Sequence, residues 1–317
     1  MEAGLTLSSL KALHRQPEKA IAREWPINRP SRLIAASSLN FALSGCSGGV
    51  LDPQGPVGAS NKLILLNALE IMLVIVVPTI AAGLFFAWWF RASNTRSHYR
   101  PNFVYSGALE MIVWSIPILT VLFLSGVIWI GSHELDPANP LPSKTKPLEV
   151  QVVSLDWKWL FIYPEQQVAS VNELTVPAGL PVHFTLTSGS VMNGFFVPQL
   201  GSMIATMNGM ATQLHLQADR AGDYYGRSTQ FSGDGFPGMA FTVHAVPQQA
   251  FENWIAQAKQ TGPGLDRASY IELSHQRANV PPFTYRSVEP NLFQAVVTQE
   301  IPPAPGPRPN AHPKQEG

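Results

Sequence analysis

The residues best placed to do chemistry lie in one short run, Ser228-Thr229-Gln230-Phe231-Ser232-Gly233-Asp234-Gly235-Phe236-Pro237-Gly238-Met239. Its glycine and proline content specifies a fixed, tight turn rather than a strand or a helix. Loops of this kind between the strands of a β-sandwich often hold redox metals, and a soft metal there needs thiolate, imidazole or thioether ligands. Met239 supplies one thioether. Ser228, Ser232 and Phe236 occupy the other suggestive positions. The pattern is that of a metal loop without its ligands.

Cys46 is the single cysteine of the chain, so neither a disulfide framework nor a cysteine-based metal site can be built within it. Arg29 and Arg32 precede the modestly apolar stretch from Leu33 to Leu43, a positive region followed by a short apolar one. The stretch ends in Leu43-Ser44-Gly45-Cys46, which resembles the lipobox of bacterial lipoproteins, where the cysteine is lipidated after cleavage. The plainer alternative is a free cysteine in a loop; its place directly after the apolar run favours lipidation. Residues 1–45 are thus expected to form a lipoprotein signal region, and residues 46–60, rich in glycine and proline, a linker.

Charge and hydropathy show what must position these groups. Only 13% of the 317 residues are charged, about half the usual soluble share, and the shortfall falls in two stretches. Ile71 to Phe90 runs for 20 residues without a charge, enough for a hydrocarbon core of about 30 Å at roughly 1.5 Å per residue. Pro78 is tolerated in such a span. Trp88, Trp89 and Phe90 anchor its end, and Arg91, Arg96, His98 and Arg100 follow. No acid occurs from Arg91 to Leu109, so the positive-inside rule puts this connection, about residues 91–109, in the cytoplasm. The second span, Met111 to Gly131, exits into His133, Glu134 and Asp136. Residues 61–132 therefore form a two-span helical hairpin with both termini outside, where a lipidated cysteine must also lie.

Glu110 opens the second span at its cytoplasmic end. It is either an acid favoured by a helix N-terminus or a carboxylate that collects and hands on protons at the membrane edge. Glu70, with Asn67, stands at the outer end of the first span.

Residues 133–147 form a linker, with four prolines between Asp136 and Pro147. Short β-rich runs follow at Leu148–Leu155, Trp157–Tyr163, Glu173–Val176, Pro181–Thr187, Thr212–Ala218 and Met239–Val246. Several alternate, as Val182, Phe184 and Leu186 do against His183, Thr185 and Thr187. That spacing predicts an all-β sandwich or small barrel over residues 148–246. His183, His215 and His244 fall on the polar faces of such strands and are expected to be solvated. Residues 247–300 form a C-terminal extension with a helical stretch at Gln248–Gln260 and aromatics at Tyr270, Phe283, Tyr285 and Phe293. Residues 301–317, with six prolines, are expected to be a disordered tail. Net charge is zero and no basic patch interleaves with aromatics, which gives no footing for nucleic acid.

Two spans followed by an outer sandwich resemble subunit II of the haem–copper respiratory oxidases. The stretches Asp156-Trp157-Lys158-Trp159-Leu160-Phe161-Ile162-Tyr163-Pro164-Glu165-Gln166, Ser190-Val191-Met192-Asn193-Gly194-Phe195-Phe196-Val197-Pro198 and Phe231 to Met239 look like the bo-type ubiquinol oxidase branch. The match runs from about Cys46 to about Val297. It implies a cupredoxin fold for residues 148–246, and a location in the bacterial inner membrane with the sandwich in the periplasm. Partners implied are a subunit I that carries the haems and copper, smaller membrane subunits and the bilayer. Ubiquinol is the implied substrate of the complex.

In the cytochrome c oxidases of this family a binuclear copper centre is held by one upstream histidine and a Cys-x3-Cys-x3-His-x2-Met loop with a glutamate between the cysteines. Two thiolates bridge the copper pair, and imidazole and thioether complete each metal. Counting back from Met239, the resemblance puts Phe236 at the histidine, Ser232 and Ser228 at the cysteines, and Gln230 at the glutamate; Asn193 falls at the upstream histidine. Only Met239 is retained, so no cofactor is expected in this chain and no residue in it is expected to be catalytic. The resemblance also implies that Glu110 lies at the mouth of a proton-uptake channel of subunit I, and that Trp157 and Trp159 serve packing and interfaces. Two alternatives remain at this point. A cytochrome c oxidase subunit II would need the missing copper ligands. A lipid-anchored periplasmic binding or copper-delivery protein would need surface Met or His clusters and no partner for the two spans.

Overall fold

The computed structural model describes residues 49–98 and 100–307; Cys46, the signal region and residues 308–317 lie outside them. Helix α1 spans Pro56–Trp89 and α2 spans Gly107–Glu134. Pro56 suits the first turn of α1, where its missing N–H would have had no partner. The 34 residues of α1 rise about 51 Å at ~1.5 Å each, well beyond a core of about 30 Å. The helix therefore begins inside the stretch expected as linker. Its first four turns, with Lys62, form a stalk, and the uncharged run from Ile71 crosses the membrane. Glu70 marks the junction.

The stalk docks on the soluble domain. Val57 is buried in its core. The Gln54 N–H donates to the Gln199 carbonyl at 2.7 Å, Gly58 to Leu200 at 3.0 Å and Asp219 to Gln54 at 2.8 Å. Ile64 packs on Gly131, so the start of α1 and the end of α2 lie side by side. The basic connection with Arg91, Arg96 and Arg100 is at the opposite end of an antiparallel hairpin. Arg91 covers the ring of Trp88 at 5.1 Å.

The sandwich and its extension contain β1 (Leu148–Leu155), β2 (Lys158–Tyr163), β3 (Val168–Val171), β4 (Glu173–Pro177), β5 (Pro181–Ser188), β6 (Asn193–Phe196), β7 (Ile204–Thr206), β8 (Thr212–Gln217), β9 (Gly222–Ser228), β10 (Ala240–Val246), α3 (Gln248–Gln260), β11 (Gly264–Leu265), α4 (Arg267–Ser274), β12 (Phe283–Tyr285), β13 (Ser287–Val288) and α5 (Leu292–Val297). One sheet runs β12-β3-β2-β1-β5-β8, the other β4-β10-β9-β6-β7, and β11 pairs with β13. β1–β5 and β4–β10 are parallel; the other pairs within the two larger sheets are antiparallel.

Two apolar layers share the larger sheet. Trp159, Phe161, Tyr163, Phe184, Phe195, Leu214 and Phe241 fill the space between the sheets. On the sheet's other face Val153, Leu155, Leu160 and Ile162 meet Tyr270, Leu292, Phe293, Val296 and Ile301 of the extension. No residue of β2 is exposed. Double burial explains why β1 and β2 lack the clean alternation of a one-faced strand.

Several sequence expectations need correction. β3, β6, β7 and β9 were not anticipated. In β9 the inward positions are Tyr224, Gly226 and Ser228, and Gly226 is small because the Phe241 ring lies where its Cβ would be. An apolar alternation cannot show through glycine and serine. Trp157 is not the first residue of a strand but part of the β1–β2 turn, at a left-handed φ of 66°. The stretch from Ile301 is not free chain up to Pro307: Ile301 is buried, and the Ala304 N–H donates to the Gly189 carbonyl at 2.8 Å.

Candidate functional site

The β1–β2 turn, the entry to β6 and the loop between β9 and β10 converge at one end of the sandwich. A left-handed conformation is costly for a bulky residue and persists only where its surroundings fix it. For Trp157 they do. Its indole N–H donates to the Ser232 carbonyl at 2.8 Å, and its ring occupies the space where a Cβ of Gly235 would stand. Glycine at 235 is thus required by close approach. The Ser228 N–H donates to the Met239 carbonyl at 3.1 Å and the Thr229 N–H to Gly194 at 3.0 Å, closing the loop base onto β6.

Within this frame Asn193, Ser228, Ser232 and Met239 are buried. The Ser228 hydroxyl donates to Asn193 Oδ1 at 3.0 Å and lies 3.5 Å from the Gln230 carbonyl. The Ser232 hydroxyl has no hydrogen-bond partner. Phe236, half-buried in a short 3-10 turn, meets Phe231 edge-on at 5.6 Å between ring centres. Asn193 and Ser228 are therefore in contact, Met239 joins them through its backbone, and Phe236 turns toward Phe231. Two hydroxyls, an amide and one thioether offer no thiolate to bridge two metals and no imidazole to complete them, so the donor set does not fit a binuclear copper centre.

The extension encloses the loop from outside. Asn279 lies beside Gly238, and Pro307 and Trp157 flank Gly233. The composition of the extension suggested only helix and aromatics.

Lys158 escaped notice as a functional candidate because a lysine in a strand is normally solvated. Here it is buried, its ammonium donating to the carbonyls of His275 at 2.7 Å and Asp156 at 3.3 Å. Burial pushes it down to about 8, against the pull of Asp156 and with the push of Arg277. Burial also raises the Asp156 carboxyl, partly offset by the Ser190 hydroxyl at 2.5 Å and by Lys158.

The three histidines expected in solvent are partnered. His183 meets Glu149 at 2.7 Å, and its ring lies parallel to that of His215 at 4.4 Å. His215 is buried because the linker at Pro137 covers it. His244 bridges Asp223 at 2.6 Å and Glu173 at 3.4 Å. Glu110 lies exposed in the first turn of α2, at the end of the hairpin away from the sandwich.

Comparison with known proteins gives matches over most of the chain. Residues 148–246 match the family model of the cytochrome c oxidase subunit II periplasmic domain, and residues 259–303 match the COX aromatic rich motif. Cytochrome bo(3) ubiquinol oxidase subunit 2 of Pseudomonas aeruginosa is 45% identical over 257 residues, 81% of this chain and 78% of that protein. Ubiquinol oxidase subunit 2 of Acetobacter aceti is 45% identical over 86% of this chain and 88% of its own length. Quinol oxidase subunit 2 of Bacillus cereus is 38% identical over 74% and 82%.

Lys158 gives this end of the sandwich a pH signature. Its pKa falls from an ordinary 10.5 in the unfolded chain to about 8 in the folded one. Its contribution to stability is then fully present above pH 10.5 and lost as pH falls through about 8, so stability rises across that window. The full span is about 3 kcal/mol at ~1.36 kcal/mol per pH unit. Lys158→Met should flatten the rise, measured as denaturant midpoints of the full chain in detergent from pH 7 to 11.

Proposed function

We infer the role of this chain from its family: it belongs to the subunit 2 family of the bo(3)-type ubiquinol oxidases. It is a membrane subunit of a terminal oxidoreductase, with two spanning helices and a cupredoxin-like periplasmic domain. The complex oxidises ubiquinol with dioxygen and yields ubiquinone and water.

We propose that this subunit carries no redox centre and that haems and copper belong to the partner subunit I. The observation that carries this reading is the donor chemistry of Asn193, Ser228, Gln230, Ser232 and Phe236, the positions the resemblance assigns to copper ligands: hydroxyls, amides and a phenyl ring in place of soft donors. Ubiquinol reaches its oxidase through the bilayer, so the complex needs no electron relay on the outer face. The purified complex should turn over quinol and show haem bands in a reduced-minus-oxidised spectrum, with reduced cytochrome c oxidised at least 100-fold more slowly than quinol. Comparable turnover of cytochrome c would overturn the reading.

Glu110 has a second, proton-handling role in this proposal. Its support is position: a carboxylate in the first turn of α2, next to a basic cytoplasmic connection and remote from the sandwich. A membrane-edge carboxylate can take protons from water and pass them to a channel of the partner subunit. Glu110→Gln should slow proton-coupled oxygen reduction several-fold at unchanged haem content. Unchanged turnover would leave Glu110 as a helix-terminal acid alone.

Cys46 anchors the mature chain to the outer leaflet of the inner membrane in the same proposal. The lipobox-like Leu43-Ser44-Gly45-Cys46 supports it, as does a stalk whose start lies on the periplasmic side. Intact mass of the purified subunit should begin at Cys46 with acyl additions, and Cys46→Ser should abolish both processing and acylation.

A further inference from the structure

The connection between α1 and α2 folds into an open cleft of about 690 Å³, lined by Trp89, Phe90 and Phe103 and by Arg96, His98 and Arg100. The neighbouring Arg91 is engaged: its guanidinium donates to the Ser93 hydroxyl at 3.0 Å and to the Trp88 carbonyl at 3.3 Å. Arg96 and Arg100 are exposed, and their guanidinium groups have no hydrogen-bond or ion-pair partner among the described residues. No acid occurs from Arg91 to Leu109 to neutralise them. The aromatic side of the cleft continues along α1. Phe86 and Phe90, one turn apart and both exposed, have ring centres 6.2 Å apart, and Phe85 stacks on Trp89 at 5.7 Å. These rings end the uncharged run from Ile71, so they stand where hydrocarbon gives way to headgroups.

Free cations at the mouth of an apolar aromatic row complement an amphiphile that is anionic at one end and hydrocarbon at the other. We propose that this cleft holds one anionic phospholipid of the cytoplasmic leaflet, with Arg96 and Arg100 on its phosphate and its acyl chains along Phe86 and Phe90. The planar fork of a guanidinium matches phosphate oxygens two at a time, and a basic pocket on the cytoplasmic side of spanning helices suits a phospholipid headgroup. The ring N–H of His98 adds a donor at the same mouth. Inorganic phosphate shares the headgroup chemistry but gains nothing from the aromatic row. An acidic peptide likewise leaves that row unused. The row decides for the lipid, and the site is remote from both the sandwich and the loop at Ser228.

The test uses the assembled complex, delipidated in detergent and titrated with phosphatidylglycerol or phosphatidylcholine, with bound lipids counted by native mass spectrometry. Wild type should retain one phosphatidylglycerol that the Arg96→Gln/Arg100→Gln variant releases, a loss of about 25-fold in affinity at about five-fold for each cation. Phosphatidylcholine, whose own cation offsets its phosphate, should bind no better to wild type than to the variant. An excess of inorganic phosphate should leave the phosphatidylglycerol in place. Haem content reports that the variant assembles, independently of turnover. If the double variant does not assemble, Arg100→Gln alone carries the comparison at about five-fold. Equal retention of phosphatidylglycerol by wild type and variant overturns the proposal, and so does its displacement by inorganic phosphate. A double variant that sheds another subunit while keeping its lipid makes the cleft a protein contact, and the proposal falls.

Discussion

β2 is the strand on which both halves of the outer domain depend. Its residues are buried on two faces: Trp159, Phe161 and Tyr163 toward the smaller sheet, Leu160 and Ile162 toward the extension. Each such side chain is worth about 1.5–3 kcal/mol when fully buried, so removing either covering layer exposes a face that water penalises. On the inner side, Trp159 meets Phe195 and Phe241 edge-on at 5.5 Å, and those two rings stack at 5.1 Å. On the outer side the extension supplies Tyr270, Leu292 and Phe293, and adds β12 to the sheet beside β3. The aromatic segment is therefore a structural layer of the domain and no appendage to it.

The loop between β9 and β10 keeps its shape through bonds to the segments on either side of it. The entry to β6, the end of β9 and the start of β10 meet at this loop. Here the same three segments are tied by Ser228 to Asn193, by Ser228 to the Met239 backbone and by Thr229 to Gly194. Neutral hydrogen bonds of this kind contribute about 0.5–1.5 kcal/mol each. Trp157 adds a bond to Ser232 and covers Gly235, while Asn279 and Pro307 close the outer rim. Ser228 thus serves the fold: its hydroxyl finds an acceptor in Asn193, where a thiol would bond only weakly.

Much of this was legible in the sequence because it rests on strong local patterns. Twenty uncharged residues and a basic connection give the hairpin, and the alternation Val182, Phe184, Leu186 gives β5. What stayed hidden depends on contacts between distant segments. β9 presents Gly226 and Ser228 inward, which no hydrophobic pattern reveals. The burial of Lys158 arises from His275, more than 100 residues away. His215 looked solvated by alternation, yet Pro137 of the linker lies over it. The start of α1 was masked by the glycine and proline of a segment that reads as linker, although Pro56 is a residue that favours a first helical turn.

The early start of α1 bears on what the outer domain is for. A flexible linker would let the sandwich drift relative to the membrane, whereas a helix that continues about 20 Å beyond a ~30 Å core holds it at a fixed height. The docking is specific. Val57 enters the sandwich core, three backbone hydrogen bonds seal the junction, and Asn61 donates to Ser202 at 3.2 Å. Ile64 on Gly131 then sets α2 against the same stalk. Sandwich, stalk and hairpin are joined by direct packing and hydrogen bonds. The cupredoxin-like frame is thereby held at a set height over two spans whose far ends lie at the basic connection and Glu110.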